Sequence, residues 1–150
     1  MKMKIALYPG TFDPFTIGHL SVLERALPLF DKIVVAIGVN DAKKCFSPVQ
    51  QRVKEISLLF ADEPNVKVVS YEGLTVDVAK QEGAEYILRG VRSVADFQYE
   101  QQLADINRNI SGIETVLLYT LPEQAYISSS MVRELARNGY DVSEFLPKKK

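Results

Sequence analysis

The chain has one cysteine, one histidine, no tryptophan, and no apolar run approaching the roughly 20 residues that span a bilayer. With Cys45 alone, no internal disulfide can form, and with His19 as the only imidazole there is no ligand set with the spacing of a structural zinc site. Net charge is lacking too. Eighteen Lys and Arg against 19 Asp and Glu leave a formal charge of −1, which offers no global attraction to nucleic acid or an anionic membrane. Met1-Lys2-Met3-Lys4 runs straight into an apolar stretch, so it does not read as a cleaved signal, and the expected location is the cytoplasm. Two nucleotide fingerprints are missing. No G-x-G-x-x-G follows the first apolar run, which argues against an ordinary nicotinamide or flavin enzyme, and no G-x-x-x-x-G-K-[ST] argues for a P-loop ATPase. There is no internal repeat, low-complexity segment or linker, and 150 residues suit one domain with one core.

What is present is an alternation. Short apolar runs at 3–7, 33–37, 66–70, 86–88 and 115–119 predict strands, and helical periodicity predicts helices over 20–30, 48–61, 74–81, 94–110 and 128–137. Ile33-Val34-Val35-Ala36-Ile37 is apolar throughout, as in a strand buried on both faces of a parallel sheet. Pro28 should kink or shorten the first helix. Ser47 is expected to cap the second, with Pro48 at its first position and Gln50 at capping-box spacing. Phe97, Tyr99, Leu103 and Ile106 read as packing residues of the longest helix, and Lys148-Lys149-Lys150 as a solvated tail. Five such alternations imply an α/β fold: a Rossmann-like, doubly wound five-stranded parallel sheet with helices on both faces, in which residues 1–150 form a single domain.

The unusual residues gather where such a sheet binds ligands, beyond the carboxyl ends of its strands. Residues 8–19, Tyr-Pro-Gly-Thr-Phe-Asp-Pro-Phe-Thr-Ile-Gly-His, hold two prolines, two glycines, two threonines and the only histidine. A plain connection needs less special backbone, and the stretch reads as a phosphate-handling loop ending on a helix N-terminus. There the helix dipole is expected to lower the pKa of His19, leaving a neutral ring that can donate to a phosphate. Thr11, beside Gly10, can position a phosphate or a nucleophile. Lys43 and Lys44 follow the second strand, and spacing alone does not say which reaches the site. Gly73, Leu74 and Thr75 follow the third strand, and Arg89-Gly90-Val91-Arg92 the fourth. Those arginines suit multidentate phosphate contact and equally ion pairs with Glu100 or Asp96, the latter at i,i+4 from Arg92. Ser128, Ser129 and Ser130 open the last helix; a cap needs one hydroxyl, so three suggest anion contact. One imidazole, several cations and a hydroxyl-rich helix end together suit a polyphosphate.

The loop ending in Gly18-His19 resembles the [T/H]-x-G-H signature of the nucleotidyltransferase superfamily. Ile87-Leu-Arg-Gly-Val-Arg92, Ala95-Asp-Phe-Gln-Tyr-Glu100 and Ile127-Ser-Ser-Ser130 are similar to segments of one of its families, the bacterial phosphopantetheine adenylyltransferases. The resemblance implies adenylyl transfer from ATP to 4′-phosphopantetheine, giving dephospho-coenzyme A and pyrophosphate, the penultimate step of coenzyme A synthesis, with Mg²⁺. It implies that Thr11, Lys43, Leu74, Thr75 and Arg89 contact phosphopantetheine. Thr11, Phe12, His19, Gly90, Val91, Arg92, Glu100, Gln124, Ala125, Tyr126, Ile127, Ser128, Ser129 and Ser130 would hold ATP. His19 would stabilise the transition state; in such a reaction, Thr11 and His19 would support the α-phosphate as charge builds, and Lys43 and Arg89 would hold the nucleophilic phosphate. It further implies a homohexamer, a dimer of trimers, inhibited by coenzyme A. The chain departs from the family pattern at Ile17, where asparagine is common, at Gln124, where some members have tryptophan, and in a C-terminus shorter than in some members.

Two other readings compete. One keeps nucleotidyl transfer but changes the acceptor, to nicotinamide mononucleotide or a cytidylyl acceptor. The other is a nucleotide-binding sensor without turnover, which has no need of Gly18-His19.

Overall fold

The computed structural model describes residues 2–39 and 45–148. In chain order the elements are β1 (Ile5–Gly10), α1 (Ile17–Ala26), β2 (Lys32–Gly38), α2 (Val49–Leu59), β3 (Val66–Tyr71), α3 (Thr75–Gln81), β4 (Tyr86–Val91), α4 (Val94–Ser111), β5 (Glu114–Tyr119) and α5 (Ser129–Arg137). The strands form one parallel sheet in the order β3-β2-β1-β4-β5, as the alternation implies. Alternating side chains leave it on opposite faces. Ala6, Tyr8, Ile33, Val35, Ile37 and Leu88 pack with Val22, Leu23 and Ala26 of α1 and Ile56 of α2. Leu7, Val34, Ala36 and Ile87 pack with Val76, Val78 and Ala79 of α3 on the other face. The apolar run of β2 is therefore explained: both its faces are covered, and Ile33 to Ile37 are all fully buried.

The sheet departs from expectation at its centre. β1 runs on through Tyr8-Pro9-Gly10, and β4 takes in Arg89-Gly90-Val91, all of which the sequence reading assigned to loops. β1 stays paired with β2 to its end, Gly10 opposite Ile37, and β4 with β5 to Val91 opposite Tyr119. Between β1 and β4, however, pairing covers only Ala6 with Tyr86 and Leu7 with Ile87. The cause is Pro9. The carbonyl of Ile5 accepts from the Glu85 amide, so odd-numbered residues of β1 point at β4. Pro9 lies on that side and has no N–H to continue the ladder. The strands part, and the gap opens where the strand order reverses, the place where open α/β sheets bind ligands.

Helix ends also differ from the sequence reading. α1 begins at Ile17, three residues earlier than expected, with Thr16 as its cap. As expected, Pro28 ends its regular part, in a 3₁₀ turn at Leu27–Leu29. α2 is not capped by Ser47: Pro48 takes the cap position without a side-chain bond, and the amide of Ser47 donates to Asp13 instead. On α4, Glu100 is the one buried residue. Phe97, Tyr99 and Ile106 are exposed, Tyr99 at 60%, and Leu103 is half-buried, so these are not core packing. Amphipathic spacing identified an apolar stripe, but this sheet does not cover it. No helix among the described residues is long and apolar enough to cross a membrane.

Candidate active site

The parted strands open into a cavity of about 600 Å³. Its walls include Thr11, Phe12, His19, Arg89, Gly90, Arg92, Glu100, Ile127, Ser129 and Ser130. A second cavity, about 530 Å³, is lined by Leu74 and Thr75 and shares Pro9, Gly10, Thr11, Arg89, Tyr99 and Glu100 with the first. The expected nucleotide and acceptor residues thus divide between two lobes that meet at Thr11 and Arg89. Val91, Gln124, Ala125, Tyr126 and Ser128 do not line either cavity: Val91 is buried in β4, and Tyr126 is exposed with its ring against Phe145. Lys43 and Lys44 lie outside the described residues.

His19 is the third residue of α1 and closes a capping box. The Thr16 hydroxyl accepts from the His19 amide at 3.4 Å, and the Thr16 amide donates to His19 Nδ1 at 2.9 Å. Because Nδ1 accepts, the proton of the neutral ring is on Nε2, leaving Nε2–H as the donor the ring offers a ligand. Aromatic rings hold this orientation. Phe15 stacks on the imidazole at 5.4 Å, Phe12 meets it edge-on at 5.0 Å, and the Tyr8 hydroxyl donates to the His19 carbonyl. Burial, then the charges of Arg89 and Arg92, push the His19 pKa down to about 3. The ring is neutral as expected, with desolvation and the two guanidinium groups driving it there.

A pH dependence follows. The unfolded chain binds a proton at His19 near the ordinary pKa of about 6.5, whereas the folded chain does so only near 3. The stability tied to this neutral ring is fully present above pH 6.5 and is lost as pH falls toward 3. Denaturant midpoints measured from pH 7.5 to 5 should therefore fall more steeply for wild type than for His19→Asn. Parallel curves would contradict the assignment.

Phe12 has φ 50°, unusual for a bulky side chain, and packs on Tyr8, Phe15 and His19. Gly10 makes room for it: a Cβ there would stand 2.9 Å from Phe12 Cζ. Gly10→Ala is expected to cost about 1–3 kcal/mol through overpacking. It should also lower turnover by about tenfold or more, since the displaced ring no longer seats His19. Thermal melting and initial rates on the same sample check both.

Arg89 fills the gap between the strands. Its Nε and Nη2 donate to the two carboxylate oxygens of Glu100 at 2.8 and 2.7 Å, and Nη1 donates to the Pro9 carbonyl at 2.7 Å. Burial opposes its charge, but hydrogen bonding and attraction from Glu100 outweigh it and raise its pKa. Of the five N–H groups of a guanidinium, three are used and two remain for a ligand. Glu100, expected among the nucleotide contacts, is buried and turned onto Arg89. Arg92 pairs with Asp96 at 3.0 Å, as its i,i+4 spacing predicts.

The three serines at the start of α5 each have a partner within the protein. Ser128 Oγ accepts from the Met131 amide, Ser129 Oγ donates to the Pro14 carbonyl, and Ser130 Oγ accepts from Arg133. Only Ser129 spends its O–H on such a bond; Ser128 and Ser130 accept, which leaves their O–H groups as donors, and Ser129 and Ser130 line the cavity. What α5 presents to the cavity is its first turn, whose amides precede the first intrahelical bond. The sequence reading passed over Arg133 and Arg137, which also line the cavity, and Asp13 and Arg52, which are buried. Only a helical wheel of α5 with its first turn placed at the site would have singled out Arg133 and Arg137, one turn apart on one face.

The family model for cytidylyltransferase-like proteins matches residues 7–135. A phosphopantetheine adenylyltransferase of Phocaeicola vulgatus is 54% identical over 145 residues, covering 97% of this chain and 96% of that protein. One of Bacteroides thetaiotaomicron is 51% identical over 145 residues, with the same coverage. One of Porphyromonas gingivalis is 49% identical over 147 residues, covering 98% and 96%. Among solved structures, a chain from Vibrio parahaemolyticus assigned as a nicotinate-nucleotide adenylyltransferase superposes with a TM-score of 0.67 at 20% identity, covering 98% of this chain and 95% of that one. At that identity the likeness concerns the fold alone.

Proposed function

The chain belongs to the cytidylyltransferase-like family and, within it, to the phosphopantetheine adenylyltransferases, and from that premise we propose that it joins ATP and 4′-phosphopantetheine by in-line displacement, with no covalent enzyme intermediate. An oxygen of the acceptor phosphate forms a bond to the α-phosphorus of ATP. The bond from that phosphorus to the bridging oxygen breaks, and pyrophosphate leaves with the electron pair. The acceptor phosphate is already ionised near neutral pH, so the step needs no general base. The carboxylates of the cavity suit that chemistry, since Asp13, Asp96 and Glu100 are all committed to hydrogen bonds or ion pairs. The protein's part is placement and charge stabilisation.

One observation carries the proposal: a neutral His19, its tautomer set by Thr16, stands beside Arg89 and Arg92 where the central strands part. Nε2–H of His19 would donate to the α-phosphate as charge builds, with the Thr11 hydroxyl assisting. The two spare N–H groups of Arg89 would hold the acceptor phosphate, together with Lys43, and the remaining phosphates would lie toward Arg92 and the first turn of α5. The nucleotide is taken as its magnesium complex. The described residues hold no group of three His, Cys, Asp or Glu able to bind a metal, so the ion would be held by the phosphates and water rather than by a protein cage.

A homo-oligomer, a dimer of trimers, belongs to the same proposal, supported by the uncovered apolar stripe of α4. Inhibition by coenzyme A and a cytoplasmic location are part of it as well. The test is pyrophosphate release with ATP, Mg²⁺ and either phosphopantetheine or nicotinamide mononucleotide as acceptor. Turnover is expected with the first alone. Turnover only with the second would overturn the acceptor, and none with either would favour a sensor.

A further inference from the structure

Arg52 lies in the first turn of α2 and is 2% exposed. Its guanidinium forms no ion pair with a carboxylate among the described residues. Instead Nη1 donates to the Thr11 carbonyl at 2.6 Å, Nε to the Ser47 carbonyl at 3.0 Å, and Nη2 to Cys45 Sγ at 3.4 Å. Asp13, 3% exposed, joins the same two segments, accepting from the amides of Phe46 at 2.6 Å and Ser47 at 3.0 Å. Two buried charges of opposite sign thus clamp residues 11–13 to residues 45–47 without pairing with each other.

A guanidinium is a costly way to fill space. Burying one is tolerated only where its donors are satisfied, and an apolar side chain would pack there more cheaply. What it provides is geometry: a rigid planar fork that fixes acceptors in three directions, which the single nitrogen of a lysine cannot do. The shortest of its bonds goes to Thr11, one of the residues common to both lobes of the cavity, just before the strained backbone of Phe12.

On the footing of the transfer proposed above, we infer that Arg52 is a positioning residue for the reaction, holding the Thr11 loop in register between the nucleotide and acceptor lobes. It touches neither substrate. It acts through the Thr11 carbonyl, and Asp13 completes the clamp. Displacing Thr11 by a fraction of an ångström would spoil alignment in the transition state more than it weakens ground-state binding of ATP.

The test is Arg52→Lys, followed by pyrophosphate release and by equilibrium titration with ATP alone. The expected result is kcat at least tenfold below wild type with the ATP dissociation constant within twofold. An unchanged kcat in the folded variant overturns the inference, as does a loss of ATP affinity in step with kcat. Asp13→Asn is measured beside it and should show the same split. Should neither variant fold, hydrogen exchange in the wild type decides: the Phe46 and Ser47 amides should exchange as slowly as those of the sheet, and fast exchange removes the clamp. If the wild type releases no pyrophosphate with phosphopantetheine, the proposed function fails and takes this inference with it. Wild-type turnover with an unshifted Arg52→Lys removes the inference alone.

Discussion

Replacing His19 with alanine is expected to leave a folded chain that binds ATP within several-fold of wild type and turns over about 10²–10³-fold more slowly, the loss that follows removal of one well-placed donor. The size rests on two features. The Nε2–H donor is preorganised, since the Thr16 amide fixes the tautomer and Phe12 and Phe15 fix the ring. It also stays neutral across the working pH range, so it donates without adding a charge that the ground state would already feel. The substitution also breaks the capping box, at about 1 kcal/mol, which α1 can tolerate because Val22, Leu23 and Ala26 still anchor it. His19→Asn separates the two roles, because its side-chain oxygen can still accept from the Thr16 amide while the Nε2 donor is gone. Unfolding curves for the asparagine variant should lie near wild type, with turnover as low as for alanine. Full turnover in either variant would remove His19 from the mechanism, and an equal loss of ATP affinity would make it a binding residue only.

Arg89→Met should be the most destabilising change in the site, by about 3–5 kcal/mol, because it leaves a buried carboxylate without its counterion. Glu100 is 5% exposed and receives two bonds from this guanidinium, and Pro9, which has no neighbour to pair with on β4, would lose the donor to its carbonyl. The double variant Arg89→Met/Glu100→Gln removes the orphaned charge and should recover most of the stability. It should not recover turnover, and its KM for phosphopantetheine should remain raised by tenfold or more, because the two spare N–H groups are gone. Denaturant unfolding and steady-state kinetics on the single and double variants read the two roles separately. A double variant that regains activity would mean that Arg89 supports the strands and does not hold a phosphate. A single variant as stable as wild type would mean that Glu100 is protonated or solvated once alone.

The architecture was legible because burial imposes local patterns. Ile33 to Ile37 is apolar on both sides since both sides of β2 are covered, and the alternation of strand and helix leaves few ways to build one parallel sheet. The composition of residues 8–19 marked the site, and Arg89, Glu100, Arg92 and Asp96 were visible as potential partners. Other features were misread for equally physical reasons. Phe97, Tyr99 and Ile106 show the spacing of a packed helix face, but spacing reports that a face is apolar and not what covers it. Ser47 and Gln50 have the chemistry of a cap, yet the Asp13 carboxylate, 34 residues away from Ser47 along the chain, takes the amide that would have set it. Arg52, Arg133 and Asp13 look like solvated charges, and nothing nearby in sequence says otherwise.

By itself, then, the sequence determined the fold class, the order of elements, the rim on which the candidate-site groups collect and the presence of His19 and Arg89 among those that line the cavity. These follow from periodicity and from backbone chemistry acting within a few residues. Only the tertiary structure decided that Pro9 ends the pairing of β1 with β4, that Arg89 enters the gap, that Thr16 sets the tautomer of His19 and that Arg52 holds Thr11. Apart from the contact between Thr16 and His19, these join groups 41 to 80 residues apart. Their energies depend on burial and direction, which exist only once the chain has brought those groups together.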